Sequence, residues 1–320
     1  MDGVIIGVFG TDKEMKRKFL AAITKKSEAE GIEVHVRTED GKRYSFLDVP
    51  DYPGKIQGYA CVASIADRAY YLFPSSGRLT APDGELAVLS GAMGLPGTLG
   101  LFDGSSSADF AASSLKGTAP GSYVVEERQS VSASIDTSRF KPGKGYPEAG
   151  NLIYVDRAFT VKGVGTVALG FVLFGDVRVH DQLRPIPGPD GKRVDVRGIQ
   201  VSDVDCDSAG RGIRVGLSLR GIETSELQKS HWLDDGSLKL TDRLRMRIEK
   251  SPFYKLDLDG RDLHLQVKGE TVPAKLTSIG GGLTEAVLPW QAPVWEGMKT
   301  AVLDLNGKGL RVAGGASCIQ

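Results

Sequence analysis

The stretch from Val155 to Leu183, VDRAFTVKGVGTVALGFVLFGDVRVHDQL, narrows the possible folds of this chain more than any other. Val161, Val167, Leu169 and Val172 supply β-branched and aliphatic positions, while Gly163, Gly165, Gly170 and Gly175 recur where strands must turn or bulge. The pattern predicts short paired strands forming one edge of a small closed barrel.

The same residues carry a family resemblance. Asp156-Arg157-Ala158-Phe159-Thr160-Val161-Lys162-Gly163 followed by Gly165-Thr166-Val167 resembles the start of the second domain of translational GTPases. The likeness continues, with matching spacing, through Val196-Arg197-Gly198-Ile199-Gln200-Val201 and through Arg214-Val215-Gly216-Leu217-Ser218-Leu219-Arg220-Gly221-Ile222. It is closest to the selenocysteine-specific factors of the SelB type, archaeal ones included, and more distant from EF-Tu. Barrel packing alone requires no Asp-Arg pair ahead of the first strand.

The 320 residues are enough for two or three domains with ordinary cores. An apolar content of 41% with 25% charge fits a soluble globular chain, and no apolar run is long enough to span a bilayer. The opening MDGVIIGVFG lacks a basic leader and runs into DKEMKRK, so it reads as a first buried strand and not as a signal peptide. A cytoplasmic location is expected. Cys61, Cys206 and Cys318 are too few and too scattered for a disulfide framework or a metal cluster, which suits a reducing compartment. Lysine plus arginine and aspartate plus glutamate number 40 each, so any contact with RNA has to be local.

Residues 1–131 alternate strands and helices: a buried strand over 4–9, a helix over 13–26, a hairpin from 33–36 and 44–49, then helix 56–66, strand 69–73, helix 85–93 and strand 98–102. Beside the barrel, this order resembles the G domain of the same factors, which implies a phosphate-binding loop, GTP and Mg²⁺. The loop needs G-x-x-x-x-G-K-[ST], since backbone N–H groups close on the phosphates, the lysine reaches them and the hydroxyl holds the metal. Gly7 and Lys13 fit that spacing, but Asp12 stands at the second glycine and Glu14 at the hydroxyl. A carboxylate about 4 Å from a phosphate oxygen costs about 1 kcal/mol per charge pair in water and about 4 near a protein surface. Lys13 also opens the run Lys13, Lys16, Arg17 and Lys18, which equally fits a solvated helix face.

Asp48-Val49-Pro50-Asp51-Tyr52 resembles the Asp-x-Pro-Gly-His of these GTPases, with Asp51 in place of the glycine and Tyr52 where the family has the histidine that positions water. The short span between Lys13 and Asp48 leaves little room for a mobile metal-binding loop. Asp103-Gly104-Ser105-Ser106 stands where the family reads Asn-Lys-x-Asp for guanine. The expectation is a P-loop-type α/β fold kept for shape, without GTP or Mg²⁺ and without catalytic residues.

Residues 104–122 suit a loop and a short helix, and 132–151, rich in Pro, Gly and Ser, a linker. The barrel domain then covers 152–233. Beyond it, 234–320 shows strands over 238–249, 253–258, 263–267, 271–277, 284–289, 300–305 and 309–312, which predicts a second all-β barrel.

The resemblance places the 3′ end of aminoacyl-tRNA on the second domain, with Asp156, Arg157 and Phe159 at the wall beside the esterified amino acid. A carboxylate suits a ribose or an α-amino group, and a guanidinium suits phosphate or an anionic side chain. Arg214 and Arg220 either meet the terminal nucleotides or pair with Asp203, Asp205 or Asp207. Arg243, Arg245 and Arg247 alternate with Leu244, Met246 and Ile248, so three guanidiniums share one strand face, set either for a tRNA backbone or for solvent. Trp232, Trp290 and Trp295 read as core or domain-interface residues, and the four histidines show no ligand spacing.

The leading expectation is a SelB-like and EF-Tu-like elongation-factor relative. It would bind tRNA, aminoacylated with a noncanonical amino acid such as selenocysteine or pyrrolysine, or the ribosome, and not a membrane. The alternatives are a GTP-binding factor whose GTPase is completed by the ribosome or a partner, and a non-catalytic protein-binding scaffold.

Overall fold

The computed structural model describes residues 2–23, 25–27 by backbone alone, 31–102, 104, 106–130, 136–143 and 145–319. The first sheet belongs to a βα-alternating region. Strand β1 (Gly3–Phe9), helix α1 (Lys13–Ile23) and strands β2 (Lys25–Ser27), β3 (Glu33–Glu39) and β4 (Lys42–Asp48) open it; α2 (Gln57–Ile65), β5 (Arg68–Leu72), α3 (Ala81–Ala92), β6 (Gly97–Phe102), α4 (Ala108–Ser114) and β7 (Val124–Arg128) complete it. The sheet order is β2-β3-β4-β1-β5-β6-β7. The pairs from β4 through β7 are parallel and the β2-β3-β4 edge is antiparallel. Strand β1 is buried at all seven positions, as expected for a parallel strand covered on both faces.

Three expectations in this region are corrected. The helix expected over 13–26 ends at Ile23, and 25–27 is an edge strand. Helix α3 begins at Ala81 and not near residue 85, because Thr80 and Asp83 form a reciprocal capping box and Pro82 sits in the first turn. Strand β7, a partly exposed parallel edge strand of sequence VVEER, is absent from the expected elements because it lacks clean alternation.

The 132–151 segment, expected as a plain linker, is fastened where it is described. Phe140 is 5% exposed and packs against Tyr44, Phe46 and Tyr70 at ring distances of 6.3, 5.9 and 6.2 Å. Gly143 N–H donates to Asp67 Oδ1 at 2.7 Å.

The second unit contains β8 (Leu152–Val161), β9 (Gly165–Phe174), β10 (Asp176–Arg178), β11 (Gln182–Ile186), β12 (Val194–Val201), β13 (Val204–Cys206), β14 (Ser208–Gly210), β15 (Arg214–Arg220), the single-turn helix α5 (Thr224–Leu227) and β16 (Trp232–Asp234); β10 and β14 pair as a small separate sheet, and the other strands form the main one. Its order is β11-β16-β8-β9-β15-β12-β13, and the additional β11–β12 pairing closes six of these strands into a ring. Strands β17 (Lys239–Lys250), β18 (Leu263–Val267), β19 (Glu270–Gly280), β20 (Leu283–Val294), β21 (Lys299–Leu303) and β22 (Val312–Ile319) form a second closed barrel. The strand expected over 253–258 is instead a loop, where Pro252 cannot donate to a ladder and Asp257, Asp259 and Gly260 favour turns.

One apolar cluster runs through all three units, joining Leu89 of α3 and Met93 just beyond it, Phe174 of β9, and Trp295 and Leu303 of the last barrel. Trp232 and Trp295 are 0% and 6% exposed, the core placement expected of them. Among the described residues no helix is long and apolar enough to cross a membrane, and no group of three or more His, Cys, Asp or Glu is placed to hold a metal.

Candidate nucleotide site and nucleic-acid faces

In a doubly wound sheet a ligand sits beyond the carboxyl ends of the parallel strands, against a helix N-terminus. Here that place lies between the end of β1 and the start of α1. Gly7 does not belong to it: it is in mid-strand, paired with Leu47 and Ala69, and a Cβ there would meet Phe9 and Val62 at 2.7 and 2.9 Å. The strand ends at Phe9, and Gly10 turns the chain with φ +138°. The eight-residue window that starts where the strand stops, Gly10 to Arg17, puts Met15 at the second glycine, Lys16 at the lysine and Arg17 at the hydroxyl. Lys16, not Lys13, therefore holds the lysine position; Lys13 is exposed.

Lys16 is 3% exposed and donates to Asp48 Oδ1 at 2.7 Å and to the Tyr59 hydroxyl at 3.0 Å. That hydroxyl lies 2.8 Å from the same carboxylate oxygen and 3.0 Å from Val8 O. Burial, then the Asp48 charge, pushes the Tyr59 phenol well above its ordinary range. The ammonium that would reach a phosphate is thus bonded to a carboxylate of its own chain.

The neighbouring N–H groups are also engaged. Thr11 N–H and its hydroxyl bond Asp83 Oδ1 at 3.1 and 2.6 Å, and Met15 N–H bonds Asp12 Oδ1 at 3.0 Å. Burial pushes the Asp12 carboxyl up, but hydrogen bonds from the Ser75 hydroxyl and from the Met15, Ser75 and Glu14 backbone outweigh it and hold the group below the usual carboxylate range. Two carboxylates, Asp12 and Asp83, therefore accept from the loop's donors, and position 17 offers no hydroxyl. This donor set does not fit a magnesium-bound nucleoside triphosphate. Glu14 is exposed and pairs with Lys18 at 2.8 Å.

Tyr52, expected at a water-positioning place, is 2% exposed and turned toward α3, its hydroxyl 2.8 Å from Glu85 Oε2 and 2.9 Å from Pro82 O. Arg311, from the chain just before β22, bonds both Glu85 oxygens at 2.6 to 3.2 Å and also donates to Gly54 O at 2.8 Å and Pro53 O at 3.2 Å. The segment after Asp48 is thereby fixed to the third unit. Asp51 is exposed at its tip. At the place corresponding to the guanine-reading motif, Asp103 and Ser105 lie outside the described residues.

The five barrel residues do not form one pocket. Strand β8 bulges between Val155 and Arg157, which breaks its alternation at Asp156. Arg214 donates to both Asp156 oxygens at 2.9 to 3.2 Å, with its guanidinium 5.8 Å from the Phe171 ring. Burial raises the Asp156 carboxyl; the charges of Arg214 and Arg157 act the other way. Arg157 is exposed beside it and Phe159 is half-buried. Arg220 closes the far end of β15, about 20 Å away along the strand, and pairs with Asp195 at 2.9 Å. Register brings the carboxylates of Asp156 and Asp195 to these two arginines.

A cleft of about 260 Å³ between the first two units is lined by Arg214, Gln200 and Ser202 and by Arg43 of β4. Arg43 donates to Ser202 Oγ. Sequence reading missed Arg43 because only the packing of the two sheets brings it there. Lys16, Tyr59, Glu85 and Arg311 were missed as a group for the same reason.

In the last barrel Arg243, Arg245 and Arg247 are exposed while Leu244 and Met246 are 1% and 0% exposed, the alternation expected. Arg243 pairs with Glu285 at 3.0 Å. Arg247 lies opposite Ser317, which on its other side faces Lys299.

An α/β unit with a parallel centre followed by two antiparallel barrels defines the translation-factor class of architecture. No protein-family model matches the chain. It is 26% identical over 318 residues to the uncharacterized protein MJ0325 of Methanocaldococcus jannaschii, covering 98% of this chain and 99% of that one. It is 34% identical over 125 residues to the selenocysteine-specific elongation factor of the same organism, covering 38% of this chain and 26% of that protein. The corresponding factor of Escherichia coli is 27% identical over 151 residues, and the match spans 22% of its length. Among solved structures, translation elongation factor SelB from Methanococcus maripaludis in its apo form superposes with a TM-score of 0.77 at 19% identity, over 100% of this chain and 80% of that chain. A bacterial selenocysteine-specific factor gives 0.79 at 19% identity, over 99% of this chain and 58% of that one. Over those stretches the chain is similar to selenocysteine-specific elongation factors, and its fold is that of SelB.

Proposed function

We propose that this chain is a cytoplasmic translation-factor relative that binds tRNA, with the aminoacylated 3′ end as its distinguishing ligand, and that it works without binding or hydrolysing GTP. The observation that carries the reading is the Lys16–Asp48–Tyr59 cluster in the place where a nucleotide's phosphates would lie. The kinship with selenocysteine-specific factors supports a noncanonical aminoacyl group as cargo and the ribosome as a further partner. The Asp156–Arg214 pair with Arg157 and Phe159 supplies polar and apolar groups for a charged 3′ end, and the arginine face of β17 supplies contacts for a backbone.

Isothermal titration with GTP and GDP in the presence of Mg²⁺ tests the nucleotide half. No binding is expected at micromolar concentrations, and a Kd below about 10 µM, roughly 7 kcal/mol of binding, would restore the reading of a GTPase completed by a partner. The backbone contact is tested by changing Arg243, Arg245 and Arg247 together to alanine. Affinity is expected to fall about equally for different tRNAs, and the slope of log affinity against log salt to become shallower by about 2. An unchanged slope would leave the stripe a solvated face.

A further inference from the structure

Where the first unit, the connecting segment and the last barrel meet, the structure forms a half-open cleft of about 670 Å³ that neither the nucleotide place nor the barrel cleft includes. That volume lies in the range of small-molecule sites. Its wall is lopsided in charge: Arg68, Lys141, Lys268 and Lys299 contribute cations, and Asp67 is its one carboxylate among the described residues.

Asp67 has little left to offer them. Its Oδ2 accepts Ile5 N–H at 2.9 Å, and its Oδ1 accepts Gly143 N–H at 2.7 Å and the Arg211 guanidinium. Lys268 is 8% exposed, and of the three donors on its ammonium one is placed, on Ser64 O at 3.2 Å. The Tyr146 and Trp295 rings lie 5.0 and 5.5 Å from that nitrogen. On the same wall the buried Nε of Arg68 has no hydrogen-bond partner among the described residues. A buried cation with open donors, a guanidinium on the same wall and aromatic rings beside them select for one kind of ligand.

We propose that this junction binds a small organic anion, a phosphate or carboxylate carried on a flat apolar body, with its charge at Lys268 and Arg68 and its body against Tyr146 and Trp295. Since the wall draws on the first unit, the connecting segment and the last barrel, the ligand fastens all three together.

Protons are linked to this binding. Burial pushes the Lys268 ammonium down to about 8, with Asp67 raising it, Arg211 lowering it and Cys318 raising it from β22. An anion beside the ammonium raises it again. Below that pH the lysine is already charged and binding takes up no proton; above it, binding takes one up and affinity falls as pH rises.

The test uses the full chain and 1-naphthyl phosphate, followed by tryptophan fluorescence and by calorimetry in two buffers of different ionisation enthalpy. Saturable binding is expected, at least about tenfold tighter than that of inorganic phosphate or of 1-naphthol, with proton uptake appearing as pH is raised from about 7 to 9.5. Lys268→Met and Arg68→Met are each expected to weaken it about tenfold or more. If Lys268→Met does not fold, Arg68→Met and the wild-type proton uptake carry the decision. Absence of saturation by about 1 mM probe, or equal affinity in wild type and both folded variants, would overturn the proposal.

Discussion

Lys16→Met is expected to lower the stability of the folded chain by about 3–5 kcal/mol, the usual cost of removing one partner from a buried ion pair. Asp48, 5% exposed, would keep a carboxylate with the Tyr59 hydroxyl as its remaining neighbour at 2.8 Å. The double change Lys16→Met with Asp48→Leu removes both charges and replaces them with apolar volume, and it is expected to recover most of the loss. The exposed pair Glu14–Lys18 on the same helix is the internal control, and Lys18→Ala is expected to have no measurable effect. Chemical denaturation followed by tryptophan and tyrosine fluorescence reads all three. A loss below about 1 kcal/mol for Lys16→Met would be the behaviour of a hydrated pair. The nucleotide place would then be open to solvent, and the reading of a filled site would fail with it.

How much of this was legible beforehand follows from how local each signal is. The barrel strands and the arginine stripe of β17 were readable because alternation along a strand is a property of neighbours in sequence. The phosphate-loop register was not. Gly7 and Gly10 both open a window of the required spacing, and what excludes Gly7 is that β1 continues to Phe9 between β4 and β5, a consequence of the sheet. Tyr52 reads only as the loss of the family's histidine because the partners that give it a structural role, Glu85 and Arg311, lie far off in sequence. Phe140 read as part of a loose linker because the three rings that bury it come from two different strands of the first sheet. Proximity in sequence offers Arg214 the acidic run of Asp203, Asp205 and Asp207, whereas the sheet brings it Asp156 from the other side of β9.

The Asp156–Arg214 pairing reshapes the cargo test. If the barrel holds a charged 3′ end, the wild-type chain is expected to bind aminoacylated tRNA more tightly than the same tRNA uncharged, since deacylation removes the ester and the α-amino group. Asp156 still has acceptor capacity for an ammonium, because two carboxylate oxygens offer about four lone-pair sites and Arg214 does not fill them all. Asp156→Ala is expected to cost about tenfold or more on charged tRNA, in line with about 1.5–3 kcal/mol for a hydrogen bond to a charged group, and much less on uncharged tRNA. The single variant also removes the carboxylate that Arg214 bonds, so Asp156→Ala with Arg214→Met serves as the companion in which both members of the pair are gone. Both are expected to lose the same discrimination, whereas a merely damaged barrel would weaken the two tRNA forms alike. Arg157→Ala, at an exposed position, is expected to follow Asp156→Ala without a change in stability. Equal affinity of the wild type for charged and uncharged tRNA would remove the elongation-factor cargo from the reading and leave a general tRNA or ribosome binder.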